Sequence, residues 1–256
     1  METNVNDYGQ MNFNLPHDVV PLPSGGIFYP NKKKSVKVGY LTAADENILV
    51  NMDGNKSIKE TLILPLLRNK LYEPDLRPEE LLDGDLEAIL LFLRNTSFGP
   101  EYTVSVNDPQ TGKLFDATIV LDELNIKKNS VDPDSDGTFT VTLPRSKSTV
   151  KLKPLNMRDY LEIERTLESY PQGRIQPTVT LRLNKLIVEM DGKANKGDIA
   201  KFVESMPISD SKYIRNFMFE NEPRLDLKKE VIAPSGEKAV VSIAFGVEFF
   251  RPFFSI

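Results

Sequence analysis

Cysteine is absent from this sequence of 256 residues, and His17 is its only histidine. Without cysteine the chain can form neither a disulfide bond nor a thiolate metal site. A Ser-His-Asp triad or a multi-histidine zinc site would have to be built around His17. We therefore predict no catalytic, cofactor-binding or metal-binding residues. A hydrolase built on His17 and nearby acids stays as an alternative from another functional class.

Long apolar runs and positive charge are also scarce. The run AILLFL at 88–93 is too short to span a bilayer, and residues 1–18 show neither the basic nor the apolar region of a signal peptide. The net charge is -5 and the isoelectric point about 5.2, whereas general nucleic-acid binding needs a basic surface. We expect no membrane span and no nucleic-acid partner. A nucleic-acid-binding adaptor that uses the lysine run at 32–34 stays as an alternative.

Motifs for binding phosphate or calcium are incomplete. The sequence contains neither G-x-G-x-x-G nor a Gly-Lys-Ser/Thr triplet, so no phosphate loop is predicted. The segment DPDSDG at 132–137 begins like a calcium loop, but its twelfth position is Leu143 instead of a bidentate glutamate. We interpret this segment as a solvated turn, with a calcium site as the alternative.

What the chain does contain is helical and β-type patterns in separate blocks. Helical spacing of apolar residues occurs at 42–49, 57–73, 77–99, 156–169, 195–207 and 209–221. A half-buried strand is predicted at 35–41, and alternating apolar residues around turn segments predict β-hairpins at 102–121, 138–155 and 228–254. This order predicts an α+β fold in which several helices pack with mostly antiparallel β-hairpins.

The segment TVTLRLNKLIVEMDG at 178–192 fits two interpretations. Its β-branched beginning favours a strand, while the spacing of its later apolar residues allows a buried helix. We favour the helix. For domain organisation we predict a flexible N-terminal arm at 1–18, an α+β region with two hairpins at 19–155, and a helical region that ends in a hairpin at 156–256.

Two apolar segments are candidates for contact with partner proteins. GGIFYP at 25–30 places three apolar residues between two glycines and a proline, and VEFFRPFFSI at 247–256 has four phenylalanines. A small hairpin cannot bury both faces of such a strand, so part of this set should meet a neighbour. Internal packing is the alternative for both segments. The candidate interface residues are Ile27, Phe28, Tyr29, Phe249, Phe250, Phe253 and Phe254.

Three longer stretches, taken in their order along residues 20–252, resemble a known family. They are VPLPSGGIFYP, LLDGDLEAILLFLRNTSFGPEYTV and EMDGKANKGDIAKFVESMPISDSKYIRNFMFENEPRLD. This combination resembles the baseplate hub proteins of contractile-tailed phages of the T-even type. The resemblance implies a non-enzymatic hub subunit, or a factor needed to assemble the hub, that binds other hub or tail proteins.

The same resemblance implies a location in the tail baseplate of the virion, and in the host cytoplasm during assembly. A transient assembly chaperone, absent from the mature virion, is the alternative within this class. Some relatives carry Cys-x-x-Cys pairs at hairpin tips. The matching tips here, at 107–113 and 233–238, contain no cysteine, so the resemblance implies no metal.

Overall fold

The computed structural model describes residues 16–50, 57–127, 129–171, 173–245 and 249, and the predicted arm at 1–18 lies almost wholly outside this part of the chain. The helices are α1 (Ala43–Val50), α2 (Leu64–Lys70), α3 (Asp83–Phe98), α4 (Met157–Glu168), α5 (Thr178–Leu186), α6 (Lys196–Ser205) and α7 (Ile208–Asn221). The strands are β1 (His17–Pro21), β2 (Ser35–Gly39), β3 (Glu101–Asn107), β4 (Leu114–Val120), β5 (Phe139–Thr142), β6 (Thr149–Leu152), β7 (Ile187–Met190), β8 (Lys228–Ile232) and β9 (Lys238–Ser242).

The predicted α+β class is confirmed. Within the described residues, the strands form four small antiparallel sheets, ordered β1-β2, β3-β4, β5-β6-β7 and β8-β9. The three predicted hairpins are β3-β4, β5-β6 and β8-β9. The helical turn before α2 is a π-helix (Lys59–Ile63), and Pro65 follows it in the first turn of α2.

The ambiguous segment at 178–192 contains both predicted structures in succession. Helix α5 ends at Leu186, and the next four residues form β7, which pairs with the edge of β6. The favoured helix is therefore wrong for Ile187–Met190. Here the open edge of β6 supplies backbone partners, and such tertiary pairing overrides a local periodicity that is compatible with either structure.

Two hydrophobic clusters form the interior. The first joins β1, β2, α2, α3 and β3-β4 with the C-terminal hairpin, and it includes the α3 stripe predicted from helical spacing, Leu86, Ile89, Leu90 and Leu93. The second packs β5, β6 and β7 against α4, α5, α6 and α7. The clusters draw on both predicted regions, since the C-terminal hairpin lies with the first cluster and β5-β6 with the second. The division at residue 155 stays a prediction about domains.

The two clusters meet through the first turn of α3 and the segment before it. Met157 N–H donates a hydrogen bond of 2.9 Å to the carbonyl of Leu81, which ties the start of α4 to this segment. Gly84 allows close contact with the segment that follows α7, because a Cβ there would lie 1.9 Å from the Pro223 carbonyl oxygen. Phe28 packs against both clusters, with its ring 5.9 Å from that of Phe139.

Candidate functional site

The GGIFYP segment lies in the loop at 22–34 that joins β1 to β2, and one carboxylate anchors it. Ser24 N–H donates to Asp85 Oδ1 at 2.8 Å, and Tyr29 Oη donates to Asp85 Oδ2 at 2.6 Å. Leu82 N–H in turn donates to Tyr29 Oη at 3.1 Å. Asp85 is fully buried in the first turn of α3. Burial raises the pKa of the Asp85 carboxyl, against the effect of its two donors.

The anchored loop exposes some of its apolar residues and buries others. Gly26 has a φ of +79°, and a Cβ there would lie 2.5 Å from the Lys33 carbonyl oxygen, so the turn requires glycine. Tyr29 is buried, and burial next to Asp85 raises its pKa. Phe28 is half-buried beside a cavity of about 430 Å³, while Ile27 is 41% exposed. Of the three candidates, Tyr29 packs internally, whereas the side chain of Ile27 is exposed to solvent.

The lysine run next to this loop makes contacts within the chain. Lys32 Nζ donates to the Ile27 carbonyl at 2.8 Å, and Lys33 forms ion pairs with Glu73 and Asp75. These contacts hold the end of the loop in place, and those of Lys33 connect it to the segment after α2. The charges of two lysines of this run are therefore used in contacts within the chain.

The C-terminal aromatic segment divides between the core and the part of the chain that is not described. Phe249 has no exposed surface, and its ring centroid lies 5.6 Å from that of Tyr102 and 4.7 Å from that of Phe245. The guanidinium of Arg94 lies 5.5 Å from the same ring. Phe249 therefore offers no side-chain surface to a partner. The other three candidates of this segment, Phe250, Phe253 and Phe254, lie outside the described residues.

The two hairpin tips without cysteine contact each other through hydrogen bonds. Asp108 Oδ1 accepts from Ser235 Oγ at 2.8 Å, and Asp108 Oδ2 accepts from Ser235 N–H at 3.1 Å. The same carboxylate accepts from the N–H groups of Gln110 and Thr111 in its own turn. Burial favours the neutral form of the Asp108 carboxyl and would raise its pKa, but these hydrogen bonds favour the charged form and hold the pKa below its ordinary value.

An apolar groove of about 520 Å³ lies between β1, α3 and the segment at 121–126. Val19 and Ile126, which line it, are 60% and 52% exposed. The face of α3 in this groove follows helical spacing and consists of Ala88, Leu91, Phe92, Asn95 and Thr96. The other residues in the lining are Val20, Pro21, Pro23, Leu121, Asp122, Leu124 and Leu225.

The groove was not predicted from the sequence, although the run AILLFL contains the necessary information. Six consecutive apolar residues cover more than one face of a helix. One face of α3 is buried in the first cluster, and the remaining apolar residues of the run, Ala88, Leu91 and Phe92, line the groove.

The residues considered for chemistry make separate local contacts. The ring of His17 meets that of Tyr72 edge-on at 5.9 Å. In the acidic loop, Asp136 accepts hydrogen bonds from Thr138, and Asp134 accepts one from Thr140. Within the described ranges, no group of three or more His, Asp or Glu side chains is placed to hold a metal ion, and no helix there has the length and apolar character needed to cross a membrane.

Comparison with known protein families gives a match over most of the chain. A family model described as T4 bacteriophage base plate protein matches residues 27–251. Searches of curated proteins and of solved structures returned no match. The matched range begins within the loop at 22–34 and ends two residues after Phe249, so it spans α3, the hairpin tips and most of both hydrophobic clusters.

Proposed function

Because this chain belongs to the T4 bacteriophage base plate protein family, we propose that it is a subunit of the baseplate hub or a factor required to assemble it. Family membership makes it a phage baseplate protein of the virion tail. Its mechanism is association with other hub or tail proteins, without a chemical step. Apolar burial provides the affinity, and polar groups at the rim of each contact set the register.

The apolar groove is the observation that supports association. Burial of a valine or isoleucine side chain contributes about 1.5–3 kcal/mol when it starts fully exposed. Val19 and Ile126 are more than half exposed at the same groove, above the apolar face of α3. Covering both would therefore stabilise a complex by roughly 2–3 kcal/mol before any other contact is counted.

A pair of charged variants tests this role. In a phage that depends on the supplied protein, we expect Val19→Asp combined with Ile126→Asp to reduce incorporation into baseplates at least tenfold. Leu114→Asp is the matched control, because Leu114 is 71% exposed on β4 and does not line the groove. Quantitative mass spectrometry of purified baseplates measures incorporation, and circular dichroism confirms that each variant folds. Normal incorporation of the double variant would contradict the role of the groove.

The same measurement separates a subunit from a transient assembly chaperone. A hub subunit stays in mature particles at a fixed number of copies, whereas a chaperone occurs in assembly intermediates and is absent from mature particles. If particles form normally without the protein, and neither particles nor intermediates contain it, the proposed function is wrong. A His17→Ala phage that produces infectious tails would contradict the hydrolase alternative.

The remaining interface candidates form a second set of proposed contacts. The Ile27 side chain is exposed on the anchored loop, and Phe28 is half-buried next to it. Phe250, Phe253 and Phe254 belong to the same proposal on the basis of their sequence. Ile27→Asp should weaken assembly without a change in the unfolding temperature, since the Ile27 side chain is 41% exposed in the free chain.

A further inference from the structure

The apolar groove runs along the open edge of β1. Val19, Val20 and Pro21 are consecutive and all three line it. Neighbouring side chains of a strand point to opposite faces, so a groove lined by three consecutive residues is expected to follow the strand edge. The other edge of β1 is paired with β2. The groove therefore borders the edge where β1 has no neighbouring strand among the described residues.

The register of the β1-β2 ladder shows which backbone groups face that edge. The ladder continues through Leu22 N–H to the Lys34 carbonyl and through Tyr40 N–H to the Pro16 carbonyl. In an antiparallel pair the bonded residues alternate, so Asp18 and Val20 bond to β2 while Val19 directs its N–H and carbonyl outward.

The position of Pro21 is consistent with this alternation. Pro21 lies two residues after Val19, so an N–H at this position would also have pointed to the open edge, and proline has none. Proline within a sheet is confined to positions of this kind. The proline removes one N–H from this edge, while Val19 keeps both an outward N–H and an outward carbonyl.

The floor of the groove suits an extended apolar segment. The α3 face from Ala88 to Thr96 spans about 12 Å at 1.5 Å per residue. An extended chain rises about 3.3 Å per residue, so about four residues fit along this floor. Alternate side chains of such a segment would point down onto Ala88, Leu91 and Phe92, and its backbone would reach Val19.

Within the proposed baseplate role, we propose that an extended apolar segment of another baseplate protein docks in this groove as a third strand on β1. Its backbone pairs with the outward N–H and carbonyl of Val19, and its apolar side chains cover the α3 face. Strand addition to a sheet edge combines main-chain hydrogen bonds with side-chain pockets in this way. A helix is a poor occupant because its backbone groups are already bonded internally.

Other occupants fit the geometry less well. The edge of β1 is bordered by α3 and the segment at 121–126, so β1 of a second copy would lie in the same recess and could not reach it. The residues before β1 continue its ladder at Pro16, whose carbonyl is bonded to Tyr40, and could return along the open edge only after a reversal. The C-terminal stretch FRPFFSI fits less well as an apolar third strand, because it contains an arginine and a proline within its first three residues.

A cross-link identifies the occupant directly. The chain has no cysteine, so Thr96→Cys at the exposed rim of the groove can be labelled at one position with benzophenone maleimide. The labelled protein is added to extracts that contain baseplate intermediates lacking it, and the assembled product is irradiated. We expect a cross-link to an extended apolar stretch of another baseplate protein. Lys201→Cys, on an exposed position of α6, is the control and should not label that stretch.

Two substitutions at Val19 test strand pairing itself. Val19→Pro removes the outward N–H and should reduce incorporation well over tenfold, whereas Val19→Ala keeps the N–H, loses part of the apolar contact and should reduce incorporation by about fivefold. If Val19→Pro does not fold, hydrogen exchange of the wild type replaces it, and the Val19 amide should become protected only after assembly. Equal incorporation of both folded variants, or an unprotected amide, would overturn the inference.

The outcomes separate this inference from the proposed function. A cross-link to a second copy or to residues 250–256 overturns the docking of another protein while the baseplate role stands. The same holds if wild-type protein assembles and no cross-link forms at the groove. If wild-type protein joins no baseplate or intermediate, both the proposed function and the strand docking are wrong.

Discussion

Removal of one hydroxyl group, in Tyr29→Phe, should destabilise the whole chain. Tyr29 Oη donates to Asp85 at 2.6 Å and accepts from Leu82 N–H at 3.1 Å. A hydrogen bond to a charged group contributes about 1.5–3 kcal/mol, and a buried N–H left without its acceptor costs about 1–3 kcal/mol. We expect the free energy of unfolding to fall by about 3–5 kcal/mol. For a chain of this size the unfolding temperature should fall by roughly 10 °C.

The loss should also depend on pH. Burial raises the pKa of the folded Asp85 carboxyl above its ordinary 3.8, so its contribution to stability is present below that value and is lost as the pH rises through the folded pKa. Removal of the Tyr29 donor raises this pKa further, because it removes a bond that favours the charged form. The difference between Tyr29→Phe and wild type should therefore be larger at pH 8 than at pH 4.5.

Urea unfolding at both pH values measures these differences. Tyr40→Phe is the matched control, because Tyr40 Oη donates to Asp18 at 2.7 Å on the surface and its loss should change little. A Tyr29→Phe protein within about 0.5 kcal/mol of wild type at both pH values would refute the proposed anchoring, because this is below the usual net contribution of one buried hydrogen bond.

Three further substitutions probe other buried or partly buried polar groups. Lys70→Met leaves the buried Asp45 carboxylate without its ion pair of 2.6 Å and should lower the free energy of unfolding by about 3–5 kcal/mol in urea titrations. Asp108→Asn should speed hydrogen exchange at the tips 107–113 and 233–238, because it weakens the contact with Ser235; unchanged exchange would contradict this. Burial raises the pKa of Glu222 to about 7, so the stability of the fold should fall as the pH rises from 4.5 through 7. Glu222→Gln should reduce this dependence of the unfolding temperature on pH, and an unchanged dependence would refute the prediction.

Local patterns were sufficient to predict the elements that local interactions determine. The buried stripe of α3 follows from apolar spacing, and the hairpin β3-β4 follows from alternation on both sides of a turn that contains Pro109 and Gly112. In each case the residues that decide the structure lie within one turn of helix or across one hairpin. The change from α5 to β7 at Ile187 depends on pairing with β6, some 35 residues earlier along the chain, so the local pattern does not determine it.

The anchoring carboxylates were not predictable, because their local pattern has an ordinary interpretation. An aspartate in the first turn of a helix favours the helix dipole, and Asp85 and Asp210 both occupy such positions. In the structure Asp210 also accepts hydrogen bonds of 2.8 Å from the N–H groups of Arg145 and Ser146, in the turn between β5 and β6. Both carboxylates bind loops that lie more than 60 residues earlier in the sequence, and a local sequence pattern cannot indicate contacts at such a separation.

Buried oxygen acceptors connect distant loops in this chain without cysteine. Asp85 binds Ser24, Asp108 binds Ser235, and the amide oxygen of Asn221 accepts from the N–H groups of Ser130 and Val131. Each of these bonds uses a backbone N–H, so it depends on the position of the loop more than on the loop's side chains. A loop held in this way keeps its conformation while its exposed residues are free to suit a partner.

This arrangement bears directly on association. Ordering a loop upon binding costs about 1–2 kcal/mol for each backbone residue that becomes fixed, and that cost reduces affinity. Asp85 fixes the loop at 22–34 through Ser24 and Tyr29, on either side of the exposed Ile27. Pro23, next to Ser24, lines the groove beside β1. A single buried carboxylate thus orders the loop that carries Ile27, and with it the part of the groove lining formed by Pro23, before a partner arrives. Loss of this anchor should therefore weaken assembly even in a variant that still folds.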